Sequence, residues 1–209
     1  YTLNINGDLH TPLLDEFNFQ NLSFSADGRI EWDYTHPLEF GLKDFGVGLD
    51  QFAATFNTEI DLSDAPLIKT FDIRTDPVAI AALISHLPSD MARYTEPLTT
   101  DMTLTATMEL TRPWSTADTV APSFKATIDV PECTARYENL RINRFAAALT
   151  GEFDGTDPDK SRLDIHKLTV NGAGVDINLT ANVKGPMSDP RVEGTFRGSV
   201  NLASIPPRL

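Results

Sequence analysis

The sequence predicts a mainly β protein: an elongated, curved antiparallel sheet built of repeated meander modules, with one inserted amphipathic helix at about residues 77–94. Three observations predict it. Apolar and polar residues alternate over long runs, the period of a strand with one dry and one wet face. Turn-forming residues recur about every 8–12 residues, the spacing of all-β architectures. One segment alone changes to helical spacing.

In the clearest run, Val175, Ile177, Leu179, Ala181 and Val183 alternate with Asp176, Asn178, Thr180, Asn182 and Lys184. Asn171-Gly172-Ala173-Gly174 before it tolerates positive φ and reads as a hairpin turn. Gly185 to Pro190 reads as a second turn, because proline cannot donate to a ladder. The alternation resumes at Val192, Phe196, Val200 and Leu202, with Gly194 and Gly198 leaving the apolar side shallow.

From the start of the chain, Leu3/Ile5, Leu13/Leu14, Phe17/Phe19 and Leu22/Phe24 give short alternations, and Ala26-Asp27-Gly28 reads as a turn. Ile30/Trp32/Tyr34, Leu38/Phe40/Leu42, Phe45/Val47/Leu49 and Phe52/Ala54/Phe56 follow, with a bulge-like slip between Leu49 and Phe52. Asp76-Pro77 has the form of an N-cap before a first-turn proline. Ile80, Leu83, Ile84, Leu87, Met91 and Tyr94 then follow helical spacing, with a break expected at Pro88. Its polar face lacks the basic residues of a membrane-surface helix, so it is expected to cap the sheet's apolar face. Met102, Leu104, Ala106, Met108 and Leu110 make a strand, Pro113 to Pro122 a loop, and Phe124, Ala126, Ile128 and Val130 another strand. Leu140/Ile142 and Phe145/Ala147/Leu149 repeat the bulge-like slip.

Four segments recur in order. QFAATFNTEID at 51–61 matches RFAAALTGEFD at 144–154, and Phe71-Asp72-Ile73 matches Leu163-Asp164-Ile165. Leu104-Thr105-Ala106 matches Leu179-Thr180-Ala181, and Pro122 to Ile128 matches Pro190 to Phe196 more weakly. The economical reading is one β-module used twice, with lead-in strands over 1–32, a first repeat with the helical insert over 33–135, and a second over 136–209. Modules of this kind stack into arrays.

The segment K-G-P-x-S-D-P-R-V-E-G-T, set between two strands and followed by N-L-A-S-I-P, resembles the terminal repeats of the AsmA-like family. That resemblance implies a β-rich periplasmic segment tethered to the bacterial inner membrane through a part of the protein outside these residues. It also implies a role in lipid traffic to the outer membrane. The implied ligand is the acyl chain of a phospholipid or other lipid. The expected lining is the apolar register: Val175, Ile177, Leu179, Val183, Val192, Phe196, Val200 and Leu202, with Met102, Leu104 and Met108 as first-copy equivalents. Alternation alone favours a closed core; the resemblance and the repeat bring an open trough level with it.

Composition narrows the alternatives. A net charge of −13 repels phosphate backbones, so nucleic acid is an unsuitable partner. Cys133 is alone, so no intrachain disulfide forms. No apolar run approaches the roughly 20 residues that span a bilayer, and no signal peptide is evident. A chain that starts at a tyrosine is expected to be a fragment or a mature form.

His10, His36, His86 and His166 are dispersed, and no HExxH, GxSxG or P-loop pattern occurs, so no catalytic set and no cofactor are expected. Asp154, Asp157 and Asp159 around Gly155 are a weak Ca²⁺ candidate, lacking the ligand alternation of a calcium loop; an acidic hairpin tip is favoured. The alternative function is a β-sandwich-like binding or adhesion module for glycan or protein. For glycans, its platform would draw on Trp32, Tyr34, Trp114 and Tyr137; a solvated aromatic strip would favour it, and buried rings the array.

Overall fold

The computed structural model describes residues 2–9, 22–32, 35, 38–49, 52–62, 65–85, 87, 91, 95–187 and 189–201. The alternating runs fold into strands β1 (Thr2–Leu9), β2 (Leu22–Trp32), β3 (Glu39–Leu49), β4 (Phe52–Asp61) and β5 (Leu67–Thr75). After β6 (Val78–Ala79) and helix α1 (Ile80–Ser85) come β7 (Leu98–Thr100), β8 (Thr103–Leu110), β9 (Trp114–Ser115) and β10 (Phe124–Tyr137). The chain continues through β11 (Leu140–Phe153), a 3₁₀ turn (Pro158–Lys160), β12 (Arg162–Gly172), β13 (Val175–Lys184) and β14 (Arg191–Val200). The main path through the sheet is β1-β2-β3-β4-β5-β8-β10-β11-β12-β13-β14, antiparallel throughout. Among the described residues this is one large open sheet with the short helix α1 and helical residues at Met91 and Thr95.

Several consecutive strands pair across tight connections. β12 and β13 close at Gly172↔Val175 around Ala173 (φ 51°) and Gly174 (φ 78°), as the Asn-Gly-Ala-Gly sequence predicts. The Ile142/Phe145 slip is a bulge, where the β11–β12 register shifts between Ile142 and Arg144. The Leu49/Phe52 slip is instead a strand reversal, with Leu49 paired directly to Phe52. Ala26-Asp27-Gly28 is not a turn either. It lies within β2, where the register shifts between Asp27 and Arg29; a Cβ on Gly28 would sit 2.7 Å from the Phe45 Cα.

The expected helix is present as α1, but its first residues, Val78 and Ala79, join the sheet instead. The Asp76 N–H donates to the Ala53 carbonyl (2.9 Å), so Asp76 ends the β4–β5 ladder rather than capping a helix. Val78, 8% exposed, pairs with Leu104, and the Ile80 N–H continues that ladder to the Met102 carbonyl. Burial of a β-branched residue against β8 outweighs the N-cap signal. α1 then runs six residues, none of them buried, and its main neighbours are β6 and β7. It does not cap the sheet's apolar face. His86, Pro88 and Tyr94 lie outside the described residues.

The strand expected at Met102 to Leu110 is β8, and the excursion before it returns through β7, which lies end to end with β8 against β10. The Asp101 carboxylate bridges the break, accepting from the Thr134 N–H (2.6 Å) and hydroxyl (3.1 Å). The Thr134 N–H in particular holds the Asp101 carboxyl below the usual carboxylate range. A depressed folded pKa contributes stability above the unfolded value and loses it as pH falls through the folded one. Asp101→Ala is therefore expected to lower Tm at pH 7, with the deficit shrinking on acidification. Thermal melts from pH 7 to pH 3 check this; a deficit independent of pH would contradict it.

The recurring segments occupy consecutive strands: β4, β5, β8 and β10, then β11, β12, β13 and β14. Phe56↔Ile73 and Leu149↔Ile165 are equivalent pairs in the two sets. Later pairs are offset by two residues, which keeps every side chain on its face.

Candidate functional site: an uncovered apolar face

Directly paired residues project to the same face of a sheet, so the registers connect into rows. One row reads Phe45, Phe56, Ile73, Met108, Ala126, Gly151, Leu163, Val183 and Val192, from β3 to β14 without a polar residue. The Phe45 and Phe56 rings pack with centroids 5.1 Å apart. One residue further along each strand the row reads Asn57, Asp72, Glu109, Lys125, Glu152, Arg162, Lys184 and Arg191. Its members interact across the strands: Asn57 donates to Asp72 (3.0 Å), and Arg162 meets Glu152 at 2.8 Å. Elsewhere on this face Lys43 meets Glu31 at 2.6 Å. Exposed ion pairs are worth only about 0–1 kcal/mol each, so their main effect is to keep this face wet.

Among the described residues no second layer covers the dry face: the strands of the main path belong to a single sheet, and the close element pairs are ladder neighbours or α1 with β6 and β7. Fully buried apolar side chains among the described residues are few: Ala26, Phe45, Val78, Val130, Cys133, Ala146 and Ala147. The one buried cluster among them is Val130, Cys133 and Ala147, with Met102, Leu104, Phe145 and Leu168 packed against it. Elsewhere the apolar register is half-covered by its own neighbours, and on β14 Val192, Phe196 and Val200 are 65, 62 and 48% exposed.

The structure places the expected lining residues as follows. Val175↔Val200, Leu179↔Phe196 and Val183↔Val192 are direct pairs, and Ile177 lies opposite Gly198. Met108 lies in the long row, whereas Met102 and Leu104 pack on the buried cluster. Leu202 lies outside the described residues. Alternation in β12 and β10 also brings Leu163, Ile165, Leu168, Val170 and Ile128 to this face, and these were absent from the expected lining. Their segments carry the signal too, interrupted by the Ile165/Leu168 register shift.

Asp154, Asp157 and Asp159 are not gathered around a common point. The Asp154 Oδ1 accepts from the Thr156 hydroxyl (2.5 Å), the Thr156 N–H (2.9 Å) and the Asp157 N–H (3.2 Å); the Thr156 hydroxyl above all holds this carboxyl low. Asp157 meets Lys160 at 3.2 Å. Among the described residues no group of three or more His, Cys, Asp or Glu side chains is arranged to hold a metal. The thiol of Cys133 is buried beside Phe145, and burial raises its pKa.

The rings of the alternative glycan platform are spread along the sheet, with Trp32 and Tyr137 49 and 37% exposed. Trp32, Phe40, Ile60, Ile68 and Trp114 form one row of the sheet, which puts the tryptophans four ladder steps, about 19 Å, apart. Tyr137 ends β10, on a different part of the sheet, and Tyr34 lies outside the described residues. No described helix is long and apolar enough to cross a membrane. Comparison with protein-family models, with curated proteins and with solved structures finds no match.

Proposed function

We propose that the dry face of this sheet holds the acyl chains of phospholipids or other lipids, while headgroups stay in water. The observation that carries the reading is the unbroken apolar row from Phe45 to Val192, over which no described element forms a second layer. Its eight ladder steps span about 38 Å at about 4.8 Å each. That exceeds the roughly 30 Å of hydrocarbon in a whole bilayer. Such a face selects for chains and hardly for headgroups, since its apolar side chains offer no hydrogen-bonding groups.

This role is non-enzymatic and fits the resemblance to AsmA-like repeats. On that reading the chain is a periplasmic segment of an exported bacterial protein. It is tethered to the inner membrane and supports lipid transport or outer-membrane biogenesis.

The test is titration of the purified chain with a fluorescent long-chain fatty acid. Saturable binding is expected. Ile177→Asp with Leu179→Asp should weaken it at least about tenfold, since full burial of one aliphatic side chain is worth about 1.5–3 kcal/mol. Asn178→Asp, on the wet face, should leave it unchanged. Absence of binding, or equal sensitivity at Asn178, would overturn the reading.

A further inference from the structure

We infer that β14 is the docking edge for a second copy of this chain, paired antiparallel through a twofold axis at Phe196. The backbone supports an edge contact. The Asn201 N–H donates to the Gly174 carbonyl (2.7 Å), next to the pair Val175↔Val200. Hydrogen-bonded pairs alternate along an antiparallel ladder, so the odd-numbered residues of β14 face β13. The N–H and C=O groups of Val192, Gly194, Phe196, Gly198 and Val200 therefore point away from the sheet.

Edge strands are normally blunted by shortness, bulges, proline or charged side chains, and the charges of β14, Arg191, Glu193 and Arg197, all lie on its wet face. β14 has ten residues, pairs with β13 without a register shift, and contains no proline. Every one of its residues is exposed.

Only another strand satisfies such an edge along its whole length, and β14 is complementary to itself. Centring the axis on Phe196 puts Val192 opposite Val200 of the second copy, Gly194 opposite Gly198, and Phe196 opposite its own equivalent. All five outward-facing residues then find donors and acceptors, and the apolar face continues from one copy into the next. The glycine pairs flanking the two phenylalanines leave room for the rings. On the wet face Thr195 faces Arg197, and Glu193 faces Ser199 with Arg197 of the other copy on its diagonal. No like charges stand directly opposite. Moving the axis to Thr195 would set Val200 against Pro190, which has no N–H to donate.

The 209-residue chain should sediment at twice 23.0 kDa at micromolar concentrations. Phe196→Lys, which places like charges at the axis on a side chain already 62% exposed, should halve that mass without changing the far-ultraviolet circular dichroism. Mixing Thr195→Cys with Arg197→Cys under mild oxidation should give a disulfide between the two variants. A monomer at every concentration, a dimer indifferent to Phe196→Lys, or a Thr195→Cys variant that crosslinks only to itself would overturn the assignment. Lipid binding by the dry face is read separately by the fatty-acid titration, so either proposal can fail alone.

Discussion

Ala147→Asp is expected to destabilise the chain by about 3–5 kcal/mol, lowering Tm by roughly 2–4 °C per kcal/mol at this size. Ala147 is 7% exposed and packs with Val130 and Cys133, so an added carboxylate there has neither water nor a cation. Ile128→Asp, on the same face of the neighbouring strand, should cost at most about 2 kcal/mol, because Ile128 is 41% exposed. Urea titrations of the two variants measure the contrast. A closed core makes the two losses equal; an open face keeps them apart. Equal losses would contradict the uncovered dry face.

Two glycines give an opposed pair of results. A Cβ on Gly155 would lie 1.9 Å from the Ala121 carbonyl oxygen and 2.7 Å from that of Pro122, both backbone atoms with little freedom to move. Gly155 also donates its N–H to the Ser123 hydroxyl (2.9 Å), tying the 154–160 loop to the start of β10. Gly155→Ala should therefore cost about 1–3 kcal/mol or more. Gly151 lies in the long apolar row between Ala126 and Leu163, and a Cβ added there would meet no atom within 4 Å. Gly151→Ala should be neutral or stabilise by about 0.4–1 kcal/mol, by restricting the unfolded chain. Denaturant midpoints of the two variants check the signs.

Much of the sheet was legible because a period of two records which side chains share a face. The pairs Leu179↔Phe196 and Val183↔Val192 follow from alternation and the two turns flanking β13. Alternation does not record what ends a strand. Leu49/Phe52 and Ile142/Phe145 look alike in sequence, yet one is a reversal and the other a bulge. Nor does it weigh long-range pairing against local signals. Asp76-Pro77 has the form of a helix start, but the Ala53 carbonyl and Leu104 draw this segment into the sheet. The lining residues were legible as a register, but whether anything covers them depends on how many layers the sheet forms. Which backbone groups of β14 point away from β13 was not legible, because that depends on the hydrogen-bonding phase of the β13–β14 ladder.

The most direct measurement is site-specific photo-crosslinking in cells producing the full-length protein, with the crosslinking residue at Leu179 or, separately, at Asn178. Leu179 belongs to the dry face and Asn178 to the wet one, one position apart on β13. Lipid adducts identified by mass spectrometry at Leu179 and absent at Asn178 are the predicted result. Equal labelling at both positions, or no adduct at either with the protein folded and the crosslinker active, would contradict a lipid-holding face.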